Sequence, residues 1–108
     1  MDDLYKLFRR DAMDTSVAAA ASIYPDLRRI QLEVLTYAKN QPNGFTDEEM
    51  NEFFGTHRST YRARRSELVT RELVIDSGKR KAMSNGRNAT VWICPEFTYP
   101  QKSLAFEV

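Results

Sequence analysis

A chain of 108 residues with 42% hydrophobic and 29% charged content can form one modest core, and its formal net charge is only +1. Cys94 is the single cysteine, which excludes an internal disulfide, and with His57 as the single histidine a structural zinc site is excluded too. No apolar run approaches the roughly 20 residues that cross a bilayer, and the start MDDLYKLFRRDAMD lacks the apolar stretch of a secretory signal, so a cytoplasmic protein is expected.

The small net charge hides a strong asymmetry. Residues 1–56 hold six Lys/Arg against ten Asp/Glu, a net of −4, whereas residues 57–90 hold nine Lys/Arg against three acids, a net of +6. A basic half of this kind points to a polyanion partner, double-stranded DNA first.

In chain order, residues 1–24 read as an N-terminal arm. Asp14-Thr15-Ser16 can cap a short helix over 17–22, since a side-chain oxygen there accepts from an exposed first-turn N–H. Its alanines favour helix but bury little area, which fits either a loosely docked arm or a dimer-forming helix. The domain proper is expected over 25–94. Pro25 suits a first helical position, and Leu27, Ile30, Val34 and Ala38 recur at helical spacing up to Asn40. Leu32, Leu35 and Tyr37 widen that apolar face, so the helix should be buried on more than one side. Gln41-Pro42-Asn43-Gly44 turns the chain.

A second helix starts at a capping box, Thr46 with Glu49 three positions on, inside a hydrophobic staple of Phe45 and Met50. Asp47 and Glu48 complement its positive end, and Gly55 after Phe54 supplies the left-handed exit. A third helix is predicted from about 58 to 72, and two helices so tightly joined make a helix-turn-helix unit. Leu73-Val74-Ile75 begins a strand, Ser84-Asn85-Gly86-Arg87 marks a hairpin turn, and residues 89–94 return before Pro95 stops the strand. Residues 95–108 form an unassigned tail.

On the third helix, 100° per residue places Tyr61, Arg65, Leu68 and Glu72 on the core side and Ser59, Ala63, Ser66 and Thr70 on the other, with Arg62 at its flank. Small polar side chains let a helix sit deep in a major groove. Arg62 is therefore the first choice for a guanine contact, and Ser59, Ala63 and Ser66 complete the face that meets base edges. His57, Arg58 and Thr60 at the helix start are candidates for the phosphate backbone. Arg65 faces inward, where an unpaired guanidinium is prohibitive, so it should pair with Asp47, Glu48, Glu49 or Glu72 as part of the fold. Lys79, Arg80, Lys81 and Arg87 crowd the hairpin around Asn85. Like charges across a hairpin are destabilising, and a phosphate backbone would compensate them; the alternative is that they protect an exposed strand edge from aggregation.

Residues 25–94 resemble the winged helix-turn-helix superfamily in its MarR-like form: Ser59-Thr60, Glu67-Leu68 and Leu73-Val74 stand at the spacing of that family, with a basic wing behind them. The resemblance is closer still to small winged-helix proteins of phages and prophages, through Asp14-Thr15-Ser16 with Ala19-Ala20, and through Arg62, Arg64-Arg65 and Glu67-Leu68. It implies an α+β fold that is mainly α, with a three-helix core, a hairpin wing and an extra helical arm. Two departures stand out: Glu72 replaces the usual Gly at the helix exit, and the long C-terminal dimerisation helices are missing. A homodimer thus stays open. No phosphate-binding loop, dinucleotide fingerprint or metal-ligand cluster is present, and neither an enzyme nor a cofactor is expected. The leading expectation is a small transcriptional regulator with helix 58–72 in the major groove and hairpin 75–94 as wing. The alternatives are a winged-helix module that docks on protein, or a phage replication or recombination accessory factor.

Overall fold

A helix buried on nearly every side organises the molecule. In the computed structural model, which describes residues 15–56 and 59–98, four helices precede a hairpin. They are α1 (15–23), α2 (Arg29–Lys39), α3 (Asp47–Phe54) and α4 (Thr60–Thr70). The strands β1 (Ile75–Ala82) and β2 (Asn88–Ile93) follow, and Pro95–Phe97 form a single 3-10 turn. The class is α+β, with the helices packed around α2.

Five consecutive residues of α2, from Val34 to Ala38, are buried, which is why its apolar face had to be wider than one stripe. The helix begins at Arg29, four residues after the predicted start. Pro25 instead sits in a turn in which the Leu27 N–H donates to the Tyr24 carbonyl at 3.1 Å, a position its fixed φ suits equally well. The Arg28 N–H, donating to Gln31 Oε1 at 2.7 Å, closes the true N-terminus. The described part of the arm, from residue 15 onward, is not loosely docked either. Val17 of α1 is only 2% exposed and joins the core, with Ala20, Ala21 and Tyr24 packed against it. Of the proposed cap Asp14-Thr15-Ser16, Thr15 and Ser16 already lie within α1, and Asp14 is outside the described residues.

α3 keeps its local signals. Thr46 Oγ1 accepts from the Glu49 N–H at 3.1 Å while Glu49 Oε1 accepts from the Thr46 N–H at 3.0 Å, a complete capping box. Gly55 closes α3 at φ 71°. α4 spans Thr60–Thr70, two residues shorter at each end than predicted. Its exit is a Schellman motif: the Leu73 N–H donates to the Leu68 carbonyl at 3.0 Å and the Glu72 N–H to the Val69 carbonyl at 2.9 Å. Glu72 takes the left-handed position at φ 62°, and no other described non-glycine residue has positive φ.

The hairpin is antiparallel, with Ile75 opposite Ile93, Arg80 opposite Thr90 and Lys81 opposite Ala89. Between Asp76 and Arg80 the register slips, so that three residues of β1 oppose one of β2. Asp76 Oδ1 accepts from the Gly78 N–H at 2.8 Å, which stabilises this bulge. At the tip, only Gly86 has positive φ. The Gly86 N–H donates to the Met83 carbonyl and the Met83 N–H to the Arg87 carbonyl, at 3.0 and 2.6 Å, the form of a four-residue turn closed by a bulge glycine. Phe45 adds a third chain to the sheet through an isolated bridge to Trp92, with reciprocal N–H to carbonyl bonds of 2.8 and 2.7 Å. Gly44 permits that approach: a Cβ there would lie 2.6 Å from Val91 Cγ1 and 2.7 Å from the Trp92 carbonyl oxygen.

Candidate nucleic-acid interface

α4 is held from one side and free on the other. Leu68 is fully buried, and the Tyr61 ring stacks on Phe54 at 4.2 Å while its hydroxyl donates to Glu33 at 3.2 Å. The opposite side carries Ser59, Arg62, Ser66 and Thr70, all exposed, whereas Ala63 is half-buried at its margin. Ser59 sits at the cap position, yet its hydroxyl bonds to nothing in the helix, and Thr60 is exposed in the first turn. Thr70 Oγ1 donates back to the Ser66 carbonyl at 3.3 Å. His57 and Arg58 lie outside the described residues.

Arg65 is buried, as its inward position requires, and Asp47 is its partner. Nε donates to Oδ1 at 2.9 Å and Nη2 to Oδ2 at 2.6 Å, a two-pronged pair joining α4 to the first turn of α3. The guanidinium also lies 4.1 Å over the Trp92 ring. One side chain therefore binds α3, α4 and β2 together. Nothing in the local sequence pattern marks Trp92 for this role, because the contact depends on where β2 returns.

The hairpin differs from the expected cluster of mutually repelling cations. The residues opposite Arg80 and Lys81 are Thr90 and Ala89, so no like charges face each other there. Arg80 pairs with Asp76 at 3.1 Å across the bulge, and Lys81 pairs with Glu49 of α3. Ser84, next to the tip, donates its hydroxyl to Glu48 Oε2 at 2.6 Å and its N–H to Oε1 at 3.3 Å. Asn85 accepts from the Arg87 N–H at 3.0 Å, which makes it a turn former. The carboxylates of α3 thus hold the hairpin. Burial pushes the Glu49 carboxyl up, but the Lys81 ammonium and the Thr46 N–H outweigh it and leave it below 4.5.

Eight of the nine basic residues in 57–90 are described, and ion pairs occupy five of them: Arg64, Arg65, Arg71, Arg80 and Lys81. The side chains of Arg62, Lys79 and Arg87 have no such partner among the described residues and are exposed. Arg62 projects from α4, and the other two from the hairpin. Among the described residues no group of three metal-ligating side chains occurs, and no helix is long and apolar enough to cross a membrane. Cys94 is buried, and that burial pushes its thiol up to about 11, which leaves it protonated and inert near neutrality.

The chain matches no protein family, no curated protein and no solved structure. The geometry of the site therefore carries the functional argument by itself.

Proposed function

We propose that the protein is a winged helix-turn-helix binder of double-stranded DNA, acting as a small transcriptional regulator. In this reading α4 enters the major groove and the β1–β2 hairpin is the wing. The observation that carries it is the distribution of unpaired cations. Internal carboxylates pair with five of the described basic residues of 57–90, and Arg62, Lys79 and Arg87 alone are left open among them. Arg62 shares a face with the short side chains Ser59 and Ser66, which permit close approach of the helix backbone to base edges. Lys79 and Arg87 extend exposed from the hairpin, and in this reading they hold phosphate.

The helix order supports the same reading. α2, α3 and α4 stand in the sequence of a helix-turn-helix core, Phe45 contributes a one-residue strand between the first two, and the hairpin follows the third.

Selection from a random duplex pool followed by salt titration tests the proposal. A recovered motif should be bound with a log–log salt slope of about −0.9 per phosphate contact. Replacing Lys79 and Arg87 together should flatten that slope without changing the motif. Replacing Arg62 should relax the motif at one position and cost about 1–3 kcal/mol at the preferred site. Failure to retard any duplex at low salt would refute the reading.

A further inference from the structure

The hairpin has two halves that are held differently. Its root, where Ile75 faces Ile93 and Asp76 faces Trp92, is built into the molecule: Val91 and Ile93 are buried, Phe45 bridges to Trp92, and the Arg65 cation lies over the indole. Its outer half, residues 79–88, buries no side chain; Met83 is half-buried and the rest are exposed. Apolar packing therefore does little to fix where this half lies.

Two polar ties fix it instead. Glu49 pairs with Lys81, and Glu48 accepts from the Ser84 hydroxyl at 2.6 Å and from its N–H at 3.3 Å. Both carboxylates come from the first turn of α3, so the outer half is drawn toward that helix. Root and outer half meet at the bulge, where pairing lapses between Asp76 and Arg80, and a bulge is where a strand bends. Gly78 stands there at φ 85° in open space, since a Cβ at this position would meet nothing within 4 Å. Exposed ion pairs are weak and screened by salt, so the ties hold one arrangement without excluding a second. The groups they occupy, an ammonium, a hydroxyl and a backbone N–H, are also the donors that hold phosphate oxygens.

We infer that the outer hairpin is a latched arm: Glu48 and Glu49 occupy its phosphate-binding donors, and a phosphate polyanion displaces them and swings residues 79–88 off α3 about the bulge. The test uses the full chain with a nitroxide on Ala82→Cys, an exposed position; Cys94, the only other thiol, is buried and does not take the label. In the free chain the nitroxide should broaden the α3 amide resonances. Inorganic polyphosphate should relieve that broadening saturably, and sodium chloride at equal ionic strength should relieve less of it. Glu48→Ala with Glu49→Gln should relieve it without any ligand. Glutamine retains the α3 cap, and unchanged Phe45 and Trp92 amide shifts certify the root. No broadening in the free chain, broadening that the double variant retains, or relief that chloride matches overturns the latch. Duplex DNA should relieve the broadening too, an expectation that rests on the DNA-binding reading. A chain that polyphosphate releases but that retards no duplex keeps the latch and loses that reading. A chain that retards a duplex with its broadening intact keeps the reading and loses the latch.

Discussion

Arg65 concentrates more of the fold than any other charged residue. Its guanidinium sits between the Asp47 carboxylate and the Trp92 ring, so truncation would strand a half-buried carboxylate and open a gap beneath the indole. Breaking a buried pair by removing one partner costs about 3–5 kcal/mol, and Arg65→Ala should fall at the lower end, since Asp47 keeps a quarter of its side chain exposed. Urea denaturation measures this; a loss of duplex affinity at unchanged stability would instead make Arg65 a contact residue. Its inward direction was legible from helical spacing, because an arginine among Tyr61 and Leu68 on one face needs a carboxylate. The choice of Asp47 over its acidic neighbours was not, since it depends on how α3 packs. Glu72 was legible in a different way, as a departure from the glycine that similar sequences place there. It holds φ 62°, which a side chain tolerates poorly. Glu72→Gly should raise stability by about 1 kcal/mol, visible as a higher thermal midpoint; an unchanged or lower midpoint would mean the exit carries no strain.

Among the elements, the helices were readable and the hairpin only partly so. Local chemistry defines a helix end: Thr46 and Glu49 cap α3 whatever surrounds them. A hairpin's shape depends on partners that are far away in sequence. The bulge at Asp76-Ser77-Gly78 was not anticipated, although glycine inside a strand often marks one, and Glu48 and Glu49 gave no local sign that they reach the hairpin. Glu49→Gln separates the two roles of that residue, as glutamine retains the cap acceptor but releases Lys81. Stability should change by less than about 1 kcal/mol, as for an exposed pair. The salt slope of duplex binding should steepen by up to about 0.9 as Lys81 becomes free for phosphate. Fluorescence anisotropy across a salt series decides this, and an unaltered slope rejects the tie. Because the Glu49 carboxyl is held below 4.5, the tie contributes fully above the unfolded carboxylate range and is lost as pH falls through the lowered value. At the other edge of the sheet, Gly44→Ala would drive a methyl into Val91 and the Trp92 carbonyl at positive φ. Strain and overpacking together predict a loss of about 3 kcal/mol in chemical denaturation, and a loss below 1 would mean that the Phe45 bridge yields easily.

For the molecule as a whole, the segregation of charge has two uses. The acidic N-terminal half supplies Asp26, Asp47 and Glu49 to Arg71, Arg65 and Lys81 of the basic half, so part of the asymmetry holds the domain together. What remains unpaired is the proposed interface. The same integration reaches α1, whose Val17 lies in the common core rather than in a separate arm. Val17→Ala should therefore lower the stability of the entire domain by about 2 kcal/mol in one cooperative transition followed by circular dichroism; a separate early transition would show that α1 folds by itself.

The joint at Trp92 has an optical consequence. This is the only tryptophan of the chain, and it touches the Phe45 bridge through its backbone and the Arg65 cation through its ring. Its emission consequently reports on the spacing between the root of the hairpin and α4 without any label. The molecule contains an intrinsic gauge of this joint.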